Sequence, residues 1–298
     1  MNSKIIEEAL FVINQKGNKA EIEAQKNKEK ALQDSTFSSL YSAYTRKMIE
    51  GAKNGKKEDL SAEKQAFEKR LDQLKIGSIL PKYSCPICED QGYKDGHMCN
   101  CLKNEINKIL VRESGFGALE DFAKTKFDIF KNAEYMKKVY AKMQEWCHSK
   151  FDKNIVYLSG GTGVGKTHLI KCMANELIGR GKLVVLTSAF AMNQDFLKSY
   201  STRDLEEKNN ILDKYLDCEV LFIDDLGSEF IQKGITSSFL YQVLNERKIK
   251  NRPTVITSNL DLKDLRDYYD ERISSRIIDK RTSICLLIDG DDLRLKNR

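Results

Sequence analysis

Residues Gly160-Gly161-Thr162-Gly163-Val164-Gly165-Lys166-Thr167 satisfy the spacing G-x-x-x-x-G-K-[ST], which suits the phosphates of a nucleoside triphosphate. Glycines at these spacings let successive backbone N–H groups turn inward, and a helix starting at the end of the loop adds partial positive charge beneath an anion. Lys166 is expected to reach the β- and γ-phosphates of ATP, and the Thr167 hydroxyl to ligate Mg2+. The setting gives the pattern its weight: a strand-like IVYLS precedes it, and a run expected to be helical from Lys166 to Ile178 follows.

Two further runs supply partners. Val220 to Ile223 is apolar and ends in Asp224-Asp225, which places two carboxylates at the C-terminal edge of a sheet. Asp224 is expected to hold Mg2+ through water, and Asp225 to orient or activate the attacking water as catalytic base. Otherwise Asp225 caps the next segment. Thr254 to Asn259 is a third strand, and Asn259 at its end is placed to position the same water; a lone Asn there is otherwise a turn former.

A separate cluster has metal-ligand spacing. Cys85-Pro-Ile-Cys88 is followed after ten residues by Cys99-Asn-Cys101, with Gly92, Asp95 and Gly96 available to turn the chain back. Four soft ligands this close favour a closed, tetrahedral Zn2+ site over an iron–sulfur cluster or a redox dithiol. The one-residue gap in the second pair leaves His97 as a substitute ligand. His148, His168, Cys147, Cys172, Cys218 and Cys285 read as packing or surface residues.

These groups need elements to position them. From Asn154 onward short apolar runs alternate with helical stretches, the pattern of an α/β fold: a parallel sheet flanked by helices on both faces. Residues 1–80 contain no proline and interleave charged with apolar residues at helical spacing. Ile5, Ile6, Ala9, Leu10 and Ile13 share one face, as do Phe67, Leu71 and Leu74, which predicts a small helical bundle or hairpin. The Lys-rich stretch Ala52 to Glu63 reads as a solvated loop or helix surface. The expected organisation is a helical region at 1–80, a zinc-binding segment at 81–103, a linker at 104–140 and a nucleotide-binding domain at 141–298.

Composition bounds the rest. The chain has 298 residues, 41% hydrophobic and 32% charged, with a net charge of +6 that permits nucleic-acid binding without requiring it. No apolar run approaches the ~18 residues that cross a bilayer, and the N-terminus lacks the pattern of a signal peptide, so no membrane partner and a cytoplasmic location are expected.

On GGTGVGKT, LFIDDLG, VITSN and ERISSRI, residues 80–298 resemble the AAA+ ATPases, and more closely the bacterial replicative helicase loaders of the DnaC and DnaI type. The resemblance implies that Asn259 is sensor 1 and that Arg276 is an arginine finger reaching a neighbouring subunit's ATP, with Arg272 as the competing candidate on the same helical face. A finger contributes ~10³- to 10⁵-fold in rate in well-studied systems, so hydrolysis would require self-association. Arg294 falls at the sensor 2 position. No helical lid domain follows sensor 1, which also fits the loader type. The cysteine segment is similar to the one joining the helicase-binding domain of DnaI-like loaders to their ATPase.

The resemblance also implies a channel-lining, single-stranded-DNA-gripping segment between the second strand and the acid pair, where Lys198, Tyr200 and Arg203 supply cations and a stacking ring. Phe196 is either part of that surface or core, in one stripe with Phe190, Leu197 and Leu205. The resulting expectation is an ATP-dependent loader that binds a hexameric replicative DNA helicase and delivers it to single-stranded DNA during replication initiation or restart, its ATPase stimulated by that DNA and by oligomerisation. The alternatives are an IstB-like transposition helper ATPase, which shares the ATPase portion, and a non-hydrolysing adaptor switched by nucleotide.

Overall fold

The structure, a computed structural model, describes residues 3–54, 59–232 and 234–296. The chain divides into two compact units, Leu10–Leu102 and Met1–Ala9 with Lys103–Arg298.

In the first unit, α1 (Ser3–Leu32), which begins in the other unit, is followed by α2 (Ser35–Lys53) and α3 (Ser61–Gln73). Asp34 caps α2 by accepting from Phe37 N at 2.8 Å and also receives Arg70 of α3 at 2.6 Å. Those hydrogen bonds hold the Asp34 carboxyl down at about 2. Phe37, Phe67 and Leu71 are buried between the helices, with Tyr41, Tyr44 and Leu74 packed against them. Ile5, Ala9 and Ile13 are buried on the expected face of α1, while Ile6 and Leu10 are half-buried. Of the Lys-rich stretch, residues 55–58 lie outside the described residues. A short hairpin, β1 (Tyr93–Lys94) and β2 (His97–Met98), turns at Asp95-Gly96, both at positive φ, as a two-residue hairpin loop requires.

The second unit continues through α4 (Asn100–Glu113) and α5 (Ala133–His148) into an α/β layer structure. Its elements are β3 (Ile155–Ser159), α6 (Lys166–Gly179), β4 (Val184–Ser188), α7 (Ala189–Ser201), α8 (Leu205–Asp217), β5 (Val220–Leu226), α9 (Thr236–Ile249) and β6 (Thr254–Ser258). After them come α10 (Leu262–Tyr268), α11 (Glu271–Ile277), β7 (Ser283–Leu287) and α12 (Leu293–Lys296). The sheet is parallel in the order β4-β5-β6-β3-β7. Strands β3 and β6 are buried at every position, which explains their unbroken apolar and small-residue runs. Strand β7, not anticipated from the sequence, extends the sheet on the far side of β3. Residues of the stretch 104–140 take part in this core: Phe130, Met136, Val139 and Tyr140 are buried in it, with Phe116, Leu119, Phe122 and Phe127 packed alongside. Among the described residues no helix is long and apolar enough to cross a membrane.

Candidate nucleotide site and cysteine centre

Strand order puts the chemistry together. Because β6 lies between β3 and β5, the loop after β3, the acids at the end of β5 and the residue after β6 share one sheet edge. A cavity of about 370 Å³ there is lined by Thr162, Gly163, Gly165, Lys166, Thr167, His168, Asp224, Asp225, Thr257, Asn259 and Arg294. Gly160, Gly161 and Val164 belong to the same loop but do not line the cavity, Val164 being buried in the core beneath it. Gly160 is obligatory on contact grounds, because it meets backbone, and Gly163 is favoured by its φ of 74° as well as by a side-chain contact. A Cβ on Gly160 would lie 2.1 Å from the Ile288 carbonyl oxygen, and one on Gly163 would lie 1.8 Å from the Asp292 carboxylate.

Polar groups in the cavity are already held by protein. Lys166 Nζ donates to the carbonyls of Gly160 and Gly161 at 2.6 and 2.7 Å and to Asn259 Oδ1 at 2.8 Å. Asn259 Nδ2 in turn donates to Asp225 Oδ1 at 2.8 Å. A continuous chain therefore links the loop lysine, the residue after β6 and the second acid. Burial pushes the Lys166 amine down, with Asp225 and Asp224 opposing that shift. Lys166 is thus coupled to the acids by charge and, through Asn259, to Asp225 by contact.

A bulge separates the two acids. Three steps along β5, Ile223 to Leu226, span two along β6, Ile256 to Ser258. Asp225 carries the extra residue's conformation, φ 58°, and its N–H donates to Thr257 Oγ1 at 2.8 Å. That hydroxyl donates to Asp224 Oδ1 at 2.5 Å. Bulges re-aim side chains, and this one turns Asp224 to Thr167 Oγ1, 2.9 Å away, while Asp225 faces Asn259. Asp225 therefore does not cap a helix, since α9 begins eleven residues later, at Thr236. Burial pushes the Asp224 carboxyl up, opposed by its bonds to Thr257 and Thr167. A carboxylate held this way beside a threonine hydroxyl suits a hard divalent cation such as Mg2+.

Arg294 lines the cavity from α12, which returns over the loop: Leu293 N donates to the Gly163 carbonyl at 3.1 Å. Its guanidinium is paired with Asp292 at 2.8 Å. Arg276 is not in this cavity. It lies on α11 beside a separate cavity of about 930 Å³ lined also by Lys248, Arg266, Asp279 and Arg281. Arg272, one turn earlier, is more exposed and pairs with Asp270 at 3.5 Å.

In the other unit the thiols of Cys85, Cys88, Cys99 and Cys101 all lie within 4.8 Å of one another. The Cys85–Cys99 and Cys88–Cys101 sulfur separations are 3.7 and 3.3 Å. Thiolates ~2.3 Å from a central zinc in a tetrahedron stand about 3.8 Å apart, so the donor set fits such an ion. Gly92 N donates to Cys88 Sγ at 3.3 Å, and Asp90 fixes the loop by accepting from Ser84 N and Cys85 N at 2.8 and 2.7 Å. Burial raises the Cys85 thiol, but the Cys88 and Ile87 N–H groups and neighbouring thiols outweigh it and bring it down to about 7. His97 is exposed, its Nδ1 within 2.9 Å of the Asp95 carbonyl, and stands outside the four-cysteine group.

Lys198, Tyr200 and Arg203 are all exposed, at the end of α7 and in the turn that follows. Lys198 pairs with Glu207 at 2.8 Å. Phe196 is core, stacked on Phe239 at 5.3 Å and edge-on to Tyr215 at 6.0 Å. The expected stripe breaks up: Leu205 falls beyond the end of α7 at Ser201 and is 74% exposed, and Phe190, six residues from Phe196 and so off its helical face, is 56% exposed.

Thr257 and Glu229 went unnoticed in the sequence, and His168, read there as a packing or surface residue, belongs to the cavity lining. Thr257 bridges the acids, and its signal was a hydroxyl near the end of an apolar strand. His168 lines the cavity, its Nδ1 3.0 Å from Tyr140 Oη. Glu229 is buried, accepting from Gly227 N at 2.8 Å and from the Tyr269 hydroxyl, and nothing in its sequence context distinguishes it.

Comparison with known proteins places the chain in a family. The chain is 32% identical over 124 residues to the chromosomal replication initiator protein DnaA of Campylobacter fetus, covering 41% of this chain and 27% of that one. It is 27% identical over 269 residues to the phage-like element PBSX protein XkdC of Bacillus subtilis, covering 79% of this chain and 97% of the other. It is 27% identical over 162 residues to the replicative helicase loader DnaC of Buchnera aphidicola, covering 54% and 65%. The chain thus spans about a quarter of the DnaA protein and just under two thirds of DnaC. The resemblance to DnaC-type loaders read from the motifs is borne out by this last relative. The family description IstB-like ATP binding protein matches residues 106–298, the ATPase portion that the loader and transposition-helper readings share. With the parallel sheet, the phosphate loop and the acid pair at one edge, the chain belongs to the IstB-like ATP-binding protein family.

Proposed function

We propose that this ATPase is a helicase loader: its helical region at 1–80 binds a hexameric replicative DNA helicase, and its ATPase domain at 141–298 assembles on single-stranded DNA to deliver it. Residues 81–103 hold zinc as a structural joint, and residues 104–140 link that joint to the ATPase domain. The observation that carries the reading is the split between Arg276 and the cavity holding Lys166, Asp224, Asp225 and Asn259. Such a split suits a site completed by a second copy of the chain.

Within one chain the residues divide the work. Lys166 and the loop N–H groups bind the β- and γ-phosphates, while Thr167 and Asp224 hold Mg2+, which neutralises charge on the phosphates when bound. Asp225 orients the attacking water and takes its proton, and Asn259 fixes Asp225 and touches the same water. Arg294 binds phosphate from the same chain after leaving Asp292, and Arg276 does so from the neighbour. Lys198, Tyr200 and Arg203 hold the DNA through phosphate contact and stacking.

The relative named as a helicase loader supports this reading over a transposition helper, as does the cysteine segment. The test is co-purification of the full chain with hexameric replicative helicases, with ATP turnover measured with and without single-stranded DNA. Capture of a helicase together with DNA-stimulated turnover is expected. No capture of any such helicase would sink the loader assignment, and turnover absent under all conditions would leave a nucleotide-switched adaptor.

A further inference from the structure

Arg276 is held in a way that an idle surface arginine is not. Its guanidinium lies over the ring of Tyr241, 4.2 Å from the centroid. Its Nη2 donates to Tyr241 Oη at 2.8 Å, its Nε to Asn245 Oδ1 at 2.9 Å, and its Nη1 to the Arg272 carbonyl at 2.9 Å. One donor from each nitrogen is used, which leaves two of the five N–H groups for an incoming oxyanion.

The partners stand on a rigid base. Tyr241 and Asn245 are one turn apart on α9, and the opposite face of that helix buries Leu240, Val243, Leu244 and Arg247. Arg247 is 1% exposed and satisfies its guanidinium on the carbonyls of Tyr215, Cys218 and Pro253 and on Thr254 Oγ1, tying α9 to the sheet. On α11, Ile273, Ser274 and Ile277 are buried, so Arg276 rises from an equally fixed helix.

We propose that Tyr241 and Asn245 are positioning residues for Arg276, presetting its guanidinium on the chain's surface before it meets the nucleotide of a second copy. The inference rests on the reading of Arg276 as a group that acts in trans. A long side chain loses rotamer freedom when it engages a phosphate, and a ring beneath the plane plus two side-chain acceptors remove that freedom in advance. Misplacement by ~1 Å can cost a catalytic group roughly 100-fold, so loss of the clamp falls on turnover rather than on ATP binding.

The experiment measures kcat and KM for ATP with the full chain at concentrations that saturate assembly, beside melting temperature. Tyr241→Ala with Asn245→Ala is expected to lower kcat roughly 10- to 100-fold with KM within about twofold. Tyr241→Phe, which keeps the ring, should retain most of the activity, and Asn245→Ala alone gives a milder test if the double variant melts early. Mixing the double variant with Asp225→Asn should restore turnover above the sum of the two, because Asp225→Asn subunits still lend an intact Arg276. If Arg276→Ala is inactive while the clamp variants keep full kcat, the proposal falls and the trans reading stands. Loss of kcat that mixing does not restore marks general damage and also overturns it. If Arg276→Ala itself retains full activity, the trans reading fails and takes the clamp with it.

Discussion

The nucleotide cavity and the cysteine centre are both small constellations of named residues, yet they are built in opposite ways. The cavity draws on segments around residues 160–167, 224–225, 257–259 and 292–294, brought together by neighbouring parallel strands. Its lysine, asparagine and acids are bonded to one another without help from any ligand. The cysteine centre occupies the seventeen residues from Cys85 to Cys101, with a hairpin of two-residue strands and the first residues of α4 for regular structure. Its thiols face chiefly one another. In the first the fold supplies the geometry and a ligand is added to it. In the second a bound metal would tie together four side chains that otherwise rest on a short hairpin and the Asp90 turn.

The largest expected effect tests that contrast. Removing metal with a strong chelator should release about one zinc per chain and open the loop: structural zinc stabilises small domains by an apparent ~10–16 kcal/mol. Amide hydrogen exchange across residues 85–101 should accelerate by orders of magnitude, while ATP affinity changes by less than about twofold. A parallel collapse of ATP affinity would show that the two regions are not independent.

Next in size is Lys166→Ala, which removes the amine bonded to Gly160, Gly161 and Asn259. Loss of charge-assisted bonds worth about 2 kcal/mol or more weakens ATP binding by roughly 30-fold or more. Zinc content should stay at one per chain. Undiminished nucleotide binding by titration would remove the loop from the site.

How much of this could be read in advance follows the same division. The loop, the acid pair, Asn259 and the four cysteines were legible because their chemistry demands particular residue types at short spacing, and local spacing is what a sequence displays. The alternation of apolar runs with helices made the parallel sheet legible too. What escaped depends on register between distant strands. The bulge that splits Asp224 from Asp225 exists only against β6, and Thr257 matters only because that bulge sets it between the acids. Strand β7 reads as five unremarkable residues until it is seen beside β3. Asp292, which occupies Arg294, and the Tyr241–Asn245 clamp are likewise contacts made by tertiary packing alone.

A smaller effect concerns Asp224, whose carboxyl burial pushes up. An acid with a folded-state pKa above its unfolded value binds its proton more tightly when folded. It therefore favours folding at low pH, and stability falls as pH rises from the unfolded value near 3.8 through the folded one. At neutral pH the ionised group is a net cost that a bound cation offsets. Asp224→Asn should then melt higher than the parent at pH 7 without Mg2+, by about 2–4 °C for each ~1 kcal/mol recovered. The advantage should shrink as pH drops toward 4, and the variant should gain nothing from Mg2+ with nucleotide. Thermal melts across pH decide it: an equal or lower melting temperature at pH 7 would mean that the first acid is not paying a desolvation cost.

Smallest is the surface pair at the end of α7, where Lys198 and Glu207 meet in solvent. Exposed pairs of this kind contribute little to stability, because water screens them and two mobile side chains must be ordered. Lys198→Ala should leave the melting curve where it was. Under the proposed role in DNA binding its effect falls on nucleic acid: each phosphate contact removed lowers the slope of log affinity against log salt by about one, uniformly across sequences. Single-stranded-DNA binding measured over a salt series should show that flattening, with affinity falling several-fold at low salt and converging with the parent at high salt. An unchanged slope would detach Lys198 from DNA.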